Sequence, residues 1–150
     1  METSINEERI TDPVSATELS ARVAALFAKD ELAKALGMTW EVRGEGRVQV
    51  HFAAAPAYVN GRGILHGGIA YTLGDTCFAY TCQTVGATAV TRHAEILYIA
   101  PGFGGSRLTA EGHVHTRYGR NIIVDVAIRD DADRHIAEMR VYGVELRETE

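Results

Sequence analysis

Cysteine, proline and tryptophan are scarce in this sequence, with two, three and one respectively among 150 residues. Two cysteines cannot build a disulfide framework, and Cys77 and Cys82 do not form a C-x-x-C pair. They are expected to be reduced, buried thiols. There is no proline-rich linker, internal repeat or low-complexity tract, so residues 1–150 read as one domain, long enough to bury a core unaided. No block of Lys and Arg stands out, and 15 basic against 20 acidic residues leave a net charge of -5, which argues against a nucleic-acid platform. Residues 1–13 are polar and of mixed charge, without the apolar run of a signal peptide or membrane span. Residues 1–15 are therefore expected to be flexible, and the protein to be cytoplasmic with no membrane partner. Metal-ligand spacing is missing too. His113 and His115 alternate along one strand face, with His51 and His93 as further imidazoles, but no carboxylate or cysteine pattern completes a set, so no metal is expected.

What is present alternates between helical and extended patterns. Apolar residues at Leu19, Val23, Leu26, Phe27 and Leu32 predict an amphipathic helix over 16–36, stopped by Gly37. Trp40, Val42, Val48, Val50 and Phe52 follow period two around an Arg43-Gly44-Glu45-Gly46 turn, which predicts two strands. A loop rich in Gly and Asn covers 56–65. Residues 68–85 are apolar nearly all round and predict a buried helix. Strands are expected over 88–98, 107–116, 121–129 and 135–146, with turns at Pro101-Gly102, Tyr118-Gly119 and Asp130-Asp131, the last three strands forming a meander. The class is α+β, a curved antiparallel sheet wrapped around one long central helix with another helix at the N-terminus. Such a sheet leaves edges unpaired, so a dimer is expected.

The buried helix carries an anomaly. Between Arg62 and Arg92 the only formally charged side chain is Asp75. Aspartate is a poor residue in a helix interior, and an ionised carboxylate without a partner is costly to bury. Either Asp75 reaches solvent or a backbone donor from another segment, or it is a general base or nucleophile kept in a poorly solvated cleft. The second feature is His66-Gly67-Gly68 at the start of this helix. Glycines permit close approach, and the first helical amides lack internal acceptors and carry the positive end of the dipole, a combination suited to a developing oxyanion. Gly67 and Asp75 are eight residues apart, or roughly 12 Å along one helix. A reacting carbon needs both within about 3 Å. If both groups act together, they come from two copies of the helix related by a two-fold axis, giving composite sites at a dimer interface.

The run Asn60-Gly61-Arg62-Gly63-Ile64-Leu65-His66-Gly67-Gly68, continuing to Leu73-Gly74-Asp75, resembles the hotdog-fold thioesterases, specifically the PaaI-type branch named for phenylacetate degradation. The resemblance extends from about residue 33 to 146. It implies an acyl-coenzyme A thioesterase of hotdog fold, acting on aryl or (hydroxy)phenylacetyl-type thioesters without a cofactor, as a homodimer that pairs into a homotetramer. It implies Asp75 as nucleophile or general base, Gly67 as the oxyanion-hole amide, and His66 and Asn60 as groups that orient the thioester or brace the loop. Thr76 and Thr91 match positions that often carry a hydroxyl near the reacting group, and Gly68 and Tyr71 are expected beside the substrate. The turn Arg117-Tyr118-Gly119-Arg120-Asn121 would meet coenzyme A, with both arginines on phosphates.

Two departures stand out. The position before the carboxylate is Gly74, and many relatives have Arg where this chain has Ala100. Tyr71, Phe78 and Tyr80 suggest an aromatic wall for the acyl group or belong to the core. The acidic end, Glu145, Glu148 and Glu150, is expected to be a solvated tail. Two rival functions share the fold: a non-catalytic acyl-coenzyme A binder, and a hydratase or dehydratase. The latter resembles a D-x4-H arrangement, which Tyr80 in place of histidine disfavours.

Overall fold

A computed structural model describes residues 12–148; the expectation for residues 1–15 falls largely outside them. The elements run α1 (Ala16–Phe27), α2 (Glu31–Ala35), β1 (Thr39–Gly44), β2 (Arg47–Ala53), α3 (Gly67–Thr84), β3 (Ala89–Tyr98), β4 (Arg107–Tyr118), β5 (Asn121–Asp130) and β6 (His135–Glu145). Six antiparallel strands form one sheet in the order β1-β2-β4-β5-β6-β3. This is the hotdog arrangement, with α3 against one face of the sheet. The β4-β5-β6 meander is as expected. β3 follows α3 in sequence yet crosses to pair with β6, which leaves it as an edge strand.

The single N-terminal helix expected over 16–36 is instead two. Asp30 interrupts it, because one carboxylate oxygen caps α2 by accepting from the Ala33 amide at 3.0 Å. The other accepts from the buried Tyr80 hydroxyl at 2.9 Å. Local capping and a tertiary bond together override helical periodicity.

Alternation places Ile122, Val124, Val126 and Ile128 of β5 on the helix-facing side, all buried, so the intervening Asp125, Ala127 and Arg129 face away from α3. Leu73, Cys77, Phe78 and Tyr80 of α3 meet this layer together with Val48, Val50, Phe52 and Leu108. Full burial of one such side chain stabilises the fold by about 1.5–3 kcal/mol. Close seating of α3 depends on glycines in the sheet. A Cβ at Gly112 would collide with the Thr81 hydroxyl, and one at Gly143 with the Phe78 ring. Gly74 does the same from the helix side, since a Cβ there would lie 2.5 Å from Met139 Sδ. The helix is not buried all round: Tyr71, Thr72, Asp75, Thr76 and Ala79 lie on a half-buried flank.

Candidate active site

The loop before α3 is closed by its own side chains. Asn60 Oδ1 accepts from the Arg62 amide at 2.9 Å, and the Asn60 amide donates to Ile64 O at 2.8 Å. The His66 amide donates to Tyr58 O and the Leu65 amide to Gly102 O, fixing the direction in which α3 begins. Asn60 therefore braces the loop. His66 is the N-cap of α3, and its Nδ1 accepts from the Gly68 amide at 3.2 Å. The neutral ring then carries its proton on Nε2.

The Gly68 amide is thus engaged, whereas no acceptor among the described residues reaches the Gly67 amide. The Gly67 carbonyl accepts from the Tyr98 hydroxyl at 2.8 Å. A Cβ on Gly67 would sit 3.0 Å from that hydroxyl oxygen and 3.1 Å from the ring carbon bearing it, so a side chain here would push Tyr98 away. An apolar cleft of about 480 Å³ opens at this point, bordered by Asn60, Ile64, Leu65, Gly67, Tyr98 and Ala100 among others.

Asp75 stands two turns further along α3, half-buried. Its Oδ1 accepts from the Thr91 hydroxyl at 2.5 Å. The β3-β6 register shifts between Thr91 and His93, so Arg92 forms a bulge directly beside this contact; bulges re-aim side chains in this way. A small separate cleft, lined by Asp75, Phe78, Ala79, Ala89, Val90 and Thr91, lies there. It shares no residue with the cleft at Gly67.

The Thioesterase superfamily model matches residues 62–137, a span that contains both the His66-Gly67-Gly68 cap and Asp75. The chain belongs to the thioesterase superfamily. It is similar to the acyl-coenzyme A thioesterase PaaI of Escherichia coli (strain K12), with 33% identity over 116 residues, covering 77% of this chain and 83% of that one. The solved structure of the E. coli PaaI protein from the phenylacetic acid degradation operon superposes with a TM-score of 0.85 at 29% identity, over 89% of this chain and 97% of that one. A Streptococcus mutans UA159 protein solved with acetyl CoA bound shares the fold at a TM-score of 0.70 and 22% identity, over 75% of this chain and 91% of its own.

The remaining expected site residues of this thioesterase are distributed unevenly. The Thr76 hydroxyl donates back to Thr72 O at 2.9 Å rather than to Asp75. Tyr71 is half-buried beside Tyr98, whose hydroxyl pKa is raised by burial and by the neighbouring Tyr71. Tyr80 is a core residue, 0% exposed, and lines neither cleft, whereas Phe78, 1% exposed, borders the cleft at Asp75. The Phe78 ring lies over Gly143 of the sheet, and Tyr80 packs against Phe27 and donates to Asp30.

Arg117 and Arg120 flank the β4-β5 turn but are engaged within the chain. Arg117 donates to Val85 O at 2.8 Å and to the Glu145 carboxylate at 2.9 Å, and Arg120 donates to Glu145 O at 2.8 Å. Glu145 is accordingly the end of β6 and not part of a solvated tail. Tyr118 is 82% exposed, Gly119 has φ +57° at the turn, and Asn121 Oδ1 accepts from Arg92 at 3.4 Å. Arg92 was not among the sequence candidates, because the bulge that brings it to this turn has no local signature. No described helix is long and apolar enough to cross a membrane, and no cluster of three or more His, Cys, Asp or Glu among the described residues is arranged to hold a metal.

Proposed function

We propose that the protein hydrolyses acyl-coenzyme A thioesters at sites composed of Asp75 from one subunit and the Gly67 amide of another. The supporting observation is that edge strand β3 is tied to one half-site at each end. Thr91 bonds Asp75 near its start, and Tyr98 bonds Gly67 at its finish. The two ends are seven positions apart (91 to 98), or roughly 23 Å of strand. Gly67 and Asp75 themselves lie roughly 12 Å apart along α3, a gap that one chain cannot close. Antiparallel pairing of two β3 edges would set the Tyr98 end of one strand against the Thr91 end of the other, twice per dimer. The exposed Val90, Leu97, Tyr98 and Ile99 along and just beyond β3 are suited to that contact.

In this site the Gly67 N–H, at the positive end of α3, receives the thioester oxygen as charge develops on it. Asp75 Oδ1 is held by Thr91, which leaves Oδ2 to take a proton from an attacking water or to attack the carbonyl carbon itself. In the water route the new C–O bond forms, the C–S bond breaks, and the acid and coenzyme A thiolate separate; the thiolate then takes up the proton. A thiol of ordinary pKa near 8.5 leaves without a strong general acid, so no cofactor is needed.

Similarity to PaaI of the phenylacetic acid degradation operon supports an aryl or phenylacetyl-type acyl group, and the acetyl CoA held by the S. mutans protein supports coenzyme A as the carrier. Arg92 joins Arg117, Arg120 and Asn121 as the polar rim on which the phosphates would rest, with the dimer pairing further into a tetramer. The deciding experiment is steady-state turnover of phenylacetyl-coenzyme A followed with a thiol-trapping dye, for wild type and Asp75→Asn. Loss of turnover in a folded Asp75→Asn variant is expected. Full activity in that variant removes Asp75 from the chemistry, and binding without any turnover in wild type favours a sensor. Single-turnover hydrolysis in oxygen-18 water separates direct attack from water activation.

A further inference from the structure

Gly67 and Gly68 occupy the first two positions of α3, behind the N-cap His66. Without a Cβ they bring the widest backbone freedom of any residue, and the first amides of a helix have no intrahelical acceptor to steady them. A donor that must point one way is poorly served by such a segment. The peptide group joining the two glycines is nonetheless held at both ends by side chains. Its N–H, from Gly68, donates to His66 Nδ1 at 3.2 Å, and its carbonyl, on Gly67, accepts from the Tyr98 hydroxyl at 2.8 Å. The preceding peptide is held as well, since His66 O accepts from the Ile69 amide at 2.9 Å. Gly67 thus sits between two fixed peptide planes, while its own N–H is left without an acceptor among the described residues.

The two holding side chains differ in origin. His66 is local, whereas Tyr98 arrives from the end of β3, 31 residues along the chain. The Tyr98 ring also rests on Gly67, where a Cβ would lie 3.1 Å from the ring carbon bearing the hydroxyl. Tyr98 therefore demands glycine at position 67 and restrains the freedom that glycine brings.

We infer that Tyr98 is a positioning residue for the hydrolysis: its hydroxyl and His66 Nδ1 clamp the Gly67-Gly68 peptide from both ends and so aim the Gly67 N–H at the thioester oxygen. This rests on the hydrolase reading above. Aim counts most in the transition state, when the oxygen gains charge and a preset donor has no reorganisation to undergo. Loss of the clamp should therefore lower kcat and leave substrate binding nearly as it was. Strand β3 then serves both half-sites through a hydroxyl, Thr91 for the carboxylate and Tyr98 for the amide.

Tyr98→Phe keeps the ring against Gly67 and deletes only the donor. The test compares wild type, Tyr98→Phe, Gly68→Ala and the double variant by kcat and KM for phenylacetyl-coenzyme A, by light scattering, and by nitrogen-15 order parameters of the Gly67 and Gly68 amides. Tyr98→Phe, at the wild-type oligomeric state, is expected to lose roughly three- to tenfold in kcat, the range of one neutral hydrogen bond, with KM within about twofold. Its two glycine order parameters should fall below the value of about 0.85 typical of rigid backbone. Position 68 can take alanine, because its φ is not positive and a Cβ there would meet nothing nearer than His66 Nδ1 at 3.4 Å. Alanine has less backbone freedom, so Gly68→Ala should raise kcat in Tyr98→Phe by about two- to fivefold relative to its effect in wild type. Any contact of the new methyl with substrate acts in both backgrounds and cancels in that ratio.

Unmoved order parameters in Tyr98→Phe, a kcat loss that Gly68→Ala leaves untouched, or a loss that appears only with dissociation overturns the assignment. If wild type turns over no thioester, the hydrolase reading falls and the role of Tyr98 in it falls too. Normal wild-type turnover with unmoved order parameters in Tyr98→Phe strikes the clamp alone.

Discussion

The Thr91 hydroxyl donates to Asp75 Oδ1 at 2.5 Å, linking the start of an edge strand to the middle of the central helix. This is the one described side-chain bond that holds the only acidic group of α3, and it sits beside the Arg92 bulge. Thr91 is a positioning residue: it fixes one carboxylate oxygen and so sets where the other points.

Removing that hydroxyl should impair turnover without unfolding the chain. A hydrogen bond to a charged group contributes about 1.5–3 kcal/mol, so Thr91→Val should lower kcat by roughly tenfold or more with little change in KM. Thr91→Ser should restore most of it. Equal losses in the Val and Ser variants would show that the methyl packing matters and the hydroxyl does not.

Composite sites predict complementation. Asp75→Asn and Gly67→Val homodimers should each be inactive, the latter because a side chain at 67 displaces Tyr98. Subunits refolded together at equal ratio should regain about a quarter of wild-type turnover, since half the dimers are mixed and each has one intact site of two. Zero recovery, with mixed dimers confirmed by mass spectrometry, would falsify the shared-site geometry.

The β3 edge predicts coupling between assembly and activity. Leu97 is 65% exposed on that edge, a poor arrangement for an isolated chain. Leu97→Lys should shift the protein toward monomer in light scattering and abolish thioester hydrolysis in parallel. A wild type that is monomeric and fully active would sink the proposal at once.

Acid stability follows from three carboxylates distant from the site. Burial alone would raise the Asp130 carboxyl, but the Arg134 amide at 2.8 Å and its guanidinium outweigh this and hold it below the usual range. Hydrogen bonds from Gln49 and Arg47 lower Glu111, and one from Arg140 lowers Asp125. A carboxyl lowered on folding contributes stability that is complete above its unfolded value near 4 and is lost as pH falls through the folded value. The melting temperature should therefore be flat from neutral pH to about 5 and drop below about 4. Asp130→Asn should melt lower at neutral pH and show a smaller acid drop. An unchanged acid drop would remove Asp130 from the account.

Much of this was legible in the chain itself, for identifiable reasons. Asp75 announces itself because one charge in an apolar helix violates a strong rule, whereas His66-Gly67-Gly68 alone is a weak signal, since glycines at helix starts are often only packing, and gains weight from the carboxylate on the same helix. The meander is legible from strict alternation such as Ile122-Val124-Val126-Ile128. Thr91 enters only as a position of the family pattern, since sixteen residues and a crossover separate it from Asp75. The break at Asp30 was hidden because its second partner, Tyr80, is fifty residues away. Tyr80 reads from the sequence either as an acyl wall or as core, and its contacts with Phe27 and Asp30, distant in the chain, decide for core. Arg117 and Arg120 look free on a hairpin until Glu145 folds back beside them.

The two buried cysteines have a consequence for a reaction that liberates a thiol. Cys77 and Cys82 are both fully enclosed, and burial pushes each thiol up to about 12. Thiol–disulfide exchange runs through the thiolate and requires access to it. Neither sulfur is therefore open to capture by oxidised coenzyme A, and a dye that reports each product molecule will read the product and leave the folded protein silent.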